Sequence, residues 1–152
     1  MKIQLVYSYD GSKFQGSQTQ PHENGVEDEL SRALAHVGIF EKIVSSSRTD
    51  KKVHAINQSS SVICGDHFKN LEHLKELINR HAHPNIHIKR IKLVDENFQA
   101  RFDAVARSYR YIIDHGEFDV FSSNYKVFLP KFDIKKANEI LSNFVGKHDF
   151  SS

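Results

Sequence analysis

The order in which the hydrophobic periodicity changes along the chain is the feature that most constrains its fold. Residues 2–9 alternate between apolar and polar side chains, which predicts a half-buried strand. A helical repeat follows, then two short β-type segments, KIVSSS and INQSSSVIC, then a second helical repeat over about 70–80, and then the β-type segment IHIKRIKLV. This β-α-β-β-α-β order predicts an α+β, ferredoxin-like (split βαβ) fold, in which an antiparallel sheet carries both helices on one face.

The pattern also predicts which side chains these elements bury. The first helix is predicted to begin at Asn24, with Glu27 as its capping-box partner, and to end at Gly38. The predicted buried positions are Ile3, Leu5, Tyr7 and Tyr9 on the first strand, Val26, Leu30, Ala33, Leu34 and Val37 on the first helix, and Leu71, Leu74, Leu77 and Ile78 on the second.

The segment IHIKRIKLV changes phase partway along its length. Ile86 and Ile88 share one parity, whereas Ile91 and Leu93 share the other. One extra residue near positions 89–90 would return all four side chains to the same face. The pattern therefore predicts a β-bulge at that point.

Further elements are predicted beyond residue 100. SYRYIID and about 118–128 are predicted strands, and a third helix is predicted from about Asp133. Its expected buried side chains are Ile134, Ala137, Ile140, Leu141 and Phe144. Since the sequence contains no repeats or Pro/Gly-rich linkers, residues 1–152 are expected to form a single domain.

Composition excludes several classes of protein. With 39% apolar and 26% charged residues, the 152-residue chain has a soluble globular composition, and its apolar runs are too short to span a bilayer. The N-terminus lacks the apolar core of a signal peptide, and the single cysteine, Cys64, fits a reducing compartment, so a cytoplasmic location and no membrane association are expected. The net charge of +2 does not by itself indicate nucleic acid. The local basic segments RFDAVARSYR and KRIK could hold phosphates, although charge alone favours an ordinary solvated face.

Four short segments carry the candidate chemistry, in the order YDGSKFQGSQTQ (9–20), SRTDKKVHA (47–55), ARFDAVARSYRYII (100–113) and GKHDFSS (146–152). Together they resemble the TruA family of tRNA pseudouridine synthases. Members of that family have YDGSxFxGWQxQ, GRTDxGVHA and ARFxAxxRxYxYxI, followed by GxHDFxSF, which leads into a second domain. Four matches in one order over nearly the whole chain make this resemblance specific.

The resemblance implies that Asp50 is the catalytic aspartate of an isomerase that converts uridine to pseudouridine in the anticodon stem-loop of tRNA. The N-glycosidic bond breaks, the base turns over and a C–C bond forms, with no cofactor and no metal. Attack on the ribose C1′ and attack on the base C6 both stay open. The carboxylate must be ionised in either route, and nearby cations favour that form. For Asp50 alone, the alternative is a turn aspartate in a charged loop.

The resemblance also implies residues that bind the RNA. Arg48 would help to extrude the target nucleotide, which costs roughly a few kcal/mol of unstacking, unless it is a surface arginine paired with a neighbouring acid. Tyr109 would pack against the target base, and strand parity would place Tyr111 on the same face. The alternative for both tyrosines is plain half-buried packing. The remaining candidates, for phosphate contacts or structural ion pairs, are Arg101, Arg107 and Arg110.

The chain departs from the family pattern at three positions. Lys52 and Ser47 replace glycines, and Ser17 replaces the tryptophan of GWQ. A lysine at position 52 costs energy if that site requires a positive φ. The second domain of the family is also missing, so the chain is expected to be an N-terminal half with little or no isomerase activity of its own, from a full-length protein that is a homodimer.

Two alternatives to the enzyme stay open. One is a non-catalytic RNA-binding module of the same fold, which the Lys52 change and the missing half favour. The other is a metal site at His81, His83 and His87, although no cysteine or carboxylate lies at ligand spacing and exposed histidines are favoured. Cys64 is expected to be a small core residue rather than a nucleophile.

Overall fold

The computed structural model describes residues 1–19, 21 and 24–149. Gln20 of the first segment and Phe150, Ser151 and Ser152 of the fourth therefore lie outside the described residues. The chain divides into two compact units, Met1–Ser108 and the residues from Tyr109 onward. The prediction of one domain over residues 1–152 stays a prediction.

The first unit has the predicted β-α-β-β-α-β order. Its elements are β1 (Lys2–Tyr9), α1 (Val26–His36), β2 (Val44–Ser45), β3 (Ala55–Ile63), α2 (Leu71–Ala82) and β4 (Ile86–Val94), with a 3-10 turn at Gly11–Lys13. The strands form one sheet in the order β2-β3-β1-β4, and every neighbouring pair is antiparallel. This arrangement confirms the ferredoxin-like prediction.

A single core joins the helices to one face of the sheet. The alternating side chains of β1, from Ile3 to Tyr9, are at most 5% exposed. They pack with the apolar stripes of both helices, whose fully buried members are Val26, Leu30, Ala33 and Leu34 on α1 and Leu74, Ile78 and Ala82 on α2. Burial of these side chains stabilises the fold by about 1.5–3 kcal/mol for each large one.

The start of α1 corrects the sequence prediction by one residue. Gly25, not Asn24, is the N-cap, and the Asp28 carboxylate accepts a hydrogen bond of 2.8 Å from the Gly25 amide. Because Asp28 can reach back to that amide, the cap lies one position later than expected. Glu27, the predicted capping partner, instead accepts a hydrogen bond from the Ser45 hydroxyl. The end of α1 is as predicted, with Gly38 at φ +82°.

The bulge in β4 is confirmed. Val6 of β1 pairs with Arg90, whereas the next residue, Tyr7, pairs with Ile88, so Lys89 is the extra residue. Ile91 and Leu93 thereby return to the face of Ile88, opposite Leu5 and Ile3.

The second unit contains much less regular structure than predicted. It has two residue pairs, β5 (Ile113–Asp114) and β6 (Val127–Phe128), joined as parallel strands, and α3 (Ile134–Ser142). Asp133 caps α3, which confirms the predicted start. The predicted burial of its apolar stripe is wrong, because α3 buries none of its residues. The prediction that Tyr109 and Tyr111 lie on the same face of a strand is also wrong, since both residues precede β5. No helix among the described residues has the length and apolar character needed to cross a membrane.

Candidate active site

Asp50 lies in an irregular loop of residues 46–54, which connects β2 to β3; we call it the Asp50 loop. The Asp50 side chain is exposed, and it forms no hydrogen bond or ion pair with any described residue. Its direction is therefore set by the backbone that carries it. The expected cations, Arg48, Lys51 and Lys52, are exposed as well, and none of them lies within ion-pair distance of the carboxylate.

A tight turn follows Asp50. The Val53 amide donates to the Asp50 carbonyl oxygen over 3.2 Å, which closes a four-residue turn. Lys52, at the third position, has φ +67° and is the one non-glycine residue in the described part of the chain with a positive φ. A type II turn requires this conformation at that position. The site therefore needs a positive φ, and a lysine adopts it at an energetic cost.

The first segment holds the residue immediately before Asp50. The Thr49 amide donates to the Ser17 hydroxyl oxygen over 2.7 Å, and the Ser17 amide donates to the Thr49 carbonyl oxygen over 2.9 Å. The Thr49 hydroxyl lies 2.7 Å from the hydroxyl of Tyr9, at the end of β1. Three hydrogen bonds therefore connect Thr49 to the first segment.

Two glycines of the first segment let the backbones approach closely. A Cβ atom on Gly11 would lie 2.1 Å from the Val53 carbonyl oxygen, so no larger residue fits there. Gly16 has φ +125°, and a Cβ atom on it would lie 3.4 Å from the Thr49 carbonyl oxygen. The two glycines thus lie against the Asp50 loop at Thr49, which precedes Asp50 in the sequence, and at Val53, which follows it.

His54 closes the far end of the loop. Its Nδ1 atom lies 3.1 Å from the Gly11 amide and 3.1 Å from the Asp10 carboxylate. A neutral His54 with the proton on Nε2 accepts from Gly11, whereas a proton on Nδ1 can be donated to Asp10. In both forms, the imidazole connects the Asp50 loop to the turn that follows β1.

The third segment reaches the other end of the loop. Arg107 donates through Nη2 to the Ser46 carbonyl oxygen over 2.7 Å and to the Arg101 carbonyl oxygen over 3.3 Å. Gln58 of β3 donates to the Ser47 carbonyl oxygen over 2.8 Å. The Arg107 guanidinium therefore binds two backbone carbonyl oxygens. The Arg101 guanidinium lies 5.7 Å from the centre of the Phe102 ring. Within residues 1–19, 21 and 24–149, neither arginine forms an ion pair.

The other predicted RNA-binding residues are exposed. Arg48 has no acidic partner among the described residues, which removes the paired-arginine alternative for that part of the chain. Tyr109 and Arg110 belong to the second unit, where the Tyr109 side chain is 68% exposed rather than half-buried. Tyr111, with 85% of its side chain exposed, is likewise unpacked.

A groove of about 470 Å³ lies elsewhere, between α1 and residues 39–43. Its walls include Glu27, Arg32 and Phe40, and no residue of the Asp50 loop lines it.

The histidine alternative has no support in the described part of the chain, where no three His, Cys, Asp or Glu side chains are grouped as metal ligands. His81 stacks on His36 with 4.4 Å between ring centres, and His83 and His87 are exposed, as expected. Cys64 is buried, which confirms a core position, and burial raises the pKa of its thiol. Burial also raises the pKa of Tyr7, whose hydroxyl lies 2.9 Å from that of Ser60.

Sequence reasoning missed the residues that support Asp50 from outside its own segment. Ser17 was noted only as a departure from the family pattern, and Tyr9 only as a core side chain. The one available signal was that Tyr9 alternates with the buried side chains of β1. A buried tyrosine hydroxyl needs a polar partner, which here had to lie near the end of that strand.

Comparison with known proteins gives one consistent result. Residues 5–103 match the family model described as tRNA pseudouridine synthase. A Campylobacter jejuni protein named tRNA pseudouridine synthase A is 54% identical over 98% of the chain, which covers 62% of that relative. Proteins of the same name from Helicobacter pylori and Limosilactobacillus reuteri are 37% and 34% identical, over 98% and 99% of the chain and 60% and 61% of the relatives. The chain thus spans about three fifths of the length of these relatives. It belongs to the tRNA pseudouridine synthase family.

Proposed function

We propose that this chain is the catalytic-aspartate part of an enzyme that isomerises uridine to pseudouridine in tRNA, with Asp50 as the reacting carboxylate. One observation carries the proposal: segments far apart in the sequence converge on the loop that presents Asp50. Ser17 and Gly11 hold it from one side, and Arg107 holds Ser46 from the other. A solvated turn aspartate needs no such support.

The exposure of Asp50 suits this chemistry. The N1–C1′ bond of the uridine breaks, a C5–C1′ bond forms, N1 gains a proton and C5 loses one, so that the product is an isomer of the substrate. A carboxylate that reacts with a nucleoside must be open to it, and a side chain paired within the protein would first have to break that contact. The free Asp50 carboxylate meets this requirement with respect to the described residues.

Arg48 and the second unit are proposed to bind the RNA. Arg48 precedes Asp50 by two residues and is exposed without an acidic partner among the described residues, so its guanidinium is available to a phosphate or an unstacked base. Tyr109 offers an exposed ring for base stacking, which is worth about 1–3 kcal/mol per base. Arg101, Arg107 and Arg110 are proposed phosphate contacts, although Arg107 already holds backbone carbonyls.

The complete enzyme is proposed to contain a further segment, as its longer relatives do. The exposed apolar side chains of α3 are consistent with a surface that such a segment covers. We therefore expect the 152-residue chain to release little or no tritium from tRNA labelled at uridine C5, compared with the complete gene product. Equal turnover would refute the requirement for the remaining segment. The anticodon arm as target, a homodimer and a cytoplasmic location are proposed from the resemblance alone.

The proposal is tested with the complete gene product and an unmodified tRNA transcript. Pseudouridine is located by carbodiimide modification and primer extension, and we expect new stops in the anticodon arm. Asp50→Ala should abolish these stops, whereas Asp95→Ala, at an exposed aspartate in the loop after β4, is the matched control and should retain them. Loss of tRNA affinity without loss of modification in Asp50→Ala would show that Asp50 is structural.

A non-catalytic RNA-binding module is the second candidate. The strained lysine at position 52 favours it, because the turn after Asp50 lacks the glycine of the family pattern. In that case the wild-type protein binds tRNA and produces no pseudouridine.

A further inference from the structure

We propose that Ser17 is a positioning residue whose hydroxyl fixes the backbone that aims Asp50. The inference rests on the proposed function, since it concerns the orientation of the same carboxylate. Ser17 is not part of the Asp50 loop, and it forms no hydrogen bond with the Asp50 side chain.

The Ser17 hydroxyl forms its hydrogen bond in the protein interior rather than at the surface. Ser17 is 3% exposed, and its Oγ atom accepts the Thr49 amide proton over 2.7 Å. The reciprocal bond, from the Ser17 amide to the Thr49 carbonyl oxygen, is 2.9 Å long. Both backbone groups of Thr49 are therefore bonded to one residue of the first segment.

This pairing matters because the Asp50 loop has little regular structure of its own. The Asp50 side chain has no partner among the described residues, so the backbone at Thr49, whose amide and carbonyl groups both bond to Ser17, decides where the carboxylate points. The bond between Tyr9 and Thr49 fixes the threonine side chain, not its amide. The Ser17 hydroxyl is thus the contact that orients the Thr49 amide.

Serine supplies a function that the residue expected at this position cannot. The family pattern has tryptophan there, and an indole N–H is a donor only, so it cannot accept the Thr49 amide proton. In this chain the hydroxyl oxygen accepts it. Removing that oxygen leaves the partly buried Thr49 amide without an acceptor, which favours displacement of the loop.

The test compares variants of the complete gene product in single-turnover and steady-state assays on tRNA. Ser17→Ala removes the acceptor, Ser17→Cys replaces it with a poor one of similar shape, and Ser17→Thr retains it. Ser60→Ala is the matched control, because Ser60 is also a fully buried serine but lies within β3. Hydrogen exchange of the Thr49 amide is measured in each variant.

We expect Ser17→Ala and Ser17→Cys to lower kcat roughly 10–100-fold, the range for a small misplacement of a reacting group, with KM for tRNA changed less than about twofold. Exchange at Thr49 should accelerate in both. Ser17→Thr should restore kcat and protection, and Ser60→Ala should leave both unchanged. If Ser17→Ala fails to fold, the Ser17→Cys result decides.

Three results would overturn the inference. Wild-type kcat in the folded Ser17 variants would show that the hydroxyl does not position Asp50. Equal losses in Ser17→Ala and Ser60→Ala would reduce the effect to general destabilisation. An inactive wild-type protein would refute the proposed function and this inference with it. If the wild type is active and Asp50→Ala is inactive, the proposed function stands, and an unexpected result in the Ser17 variants refutes only the role of Ser17.

Discussion

Replacing Lys52 by glycine should stabilise the chain, although the substitution deletes a whole side chain. Lys52 is exposed and has φ +67° in the turn that follows Asp50. A non-glycine residue in this left-handed region costs roughly 1–2 kcal/mol, because its Cβ crowds the neighbouring carbonyl oxygen. Glycine relieves that cost but loses about 0.5–1 kcal/mol more backbone entropy on folding. The net gain in the free energy of unfolding should be about 0.5–1 kcal/mol.

Lys51 provides the matched control within the same turn. It is exposed, carries the same charge and does not have a positive φ. Lys51→Gly should therefore show only the entropic loss of about 0.5–1 kcal/mol. The two variants should differ by roughly 1–2 kcal/mol, which is the cost of the left-handed conformation.

Urea unfolding followed by far-ultraviolet circular dichroism measures both variants, with the slope of the transition as a check that the unfolded states are alike. Equal destabilisation by Lys52→Gly and Lys51→Gly would refute the reasoning, because it would mean that the turn does not hold residue 52 at a positive φ.

Two further predictions concern the stability of each unit. Gly11→Ala should destabilise the chain by about 3 kcal/mol or more in urea unfolding, the upper end of overpacking costs, since its Cβ would meet the Val53 carbonyl oxygen. Gly38→Ala, which adds a Cβ in open space at φ +82°, should cost only about 1–2 kcal/mol, and equal losses would contradict the close approach at Gly11. Hydrogen bonding from the Gly116 amide, aided by Lys126, lowers the pKa of Asp114. The ionised Asp114 carboxylate therefore contributes to stability above the ordinary carboxyl pKa. This contribution is lost as the pH falls through the lower pKa that Asp114 has in the folded state. Asp114→Asn should accordingly weaken the second unit at neutral pH and match the wild type in strong acid, as measured by thermal unfolding across pH; a difference that persists in acid would contradict this.

The fold of the first unit could be predicted from the sequence because apolar residues recur along most of its elements with the period of a strand or a helix. The β4 bulge is an instructive case: the phase change between Ile88 and Ile91 predicted an extra residue, and pairing with β1 places it at Lys89. The helix cap was misplaced by one position because Asn24 and Gly25 are both acceptable caps. The side chain that decides between them is Asp28, which lies three residues after Gly25 and accepts a hydrogen bond from the Gly25 amide.

The second unit was predicted less well for a physical reason. An amphipathic pattern predicts that a face can be buried, as on α3, but it does not say against what. Side chains such as Ile140 and Leu141 are exposed among the described residues, and the strands around β5 and β6 shrink to two residues each.

The sequence predicted which segments carry the candidate site, but it did not predict the contacts between those segments. Asp50 and Arg48 follow from the resemblance. The glycine that Lys52 replaces pointed to a cost if the site requires a positive φ, and the structure shows that Lys52 has one. The contacts from Ser17 and His54 could not be foreseen, because they join loops whose approach depends on the packed sheet.

Asp50 is proposed to react with the target uridine, and a tritium-release assay measures that reaction. Formation of the C5–C1′ bond must expel the hydrogen at C5, so tRNA labelled there reports each turnover. In the complete gene product, we expect Asp50→Asn, which keeps the shape of the side chain and removes its charge, to bind tRNA like the wild type and to release no tritium. Release at the wild-type rate by Asp50→Asn would contradict this expectation.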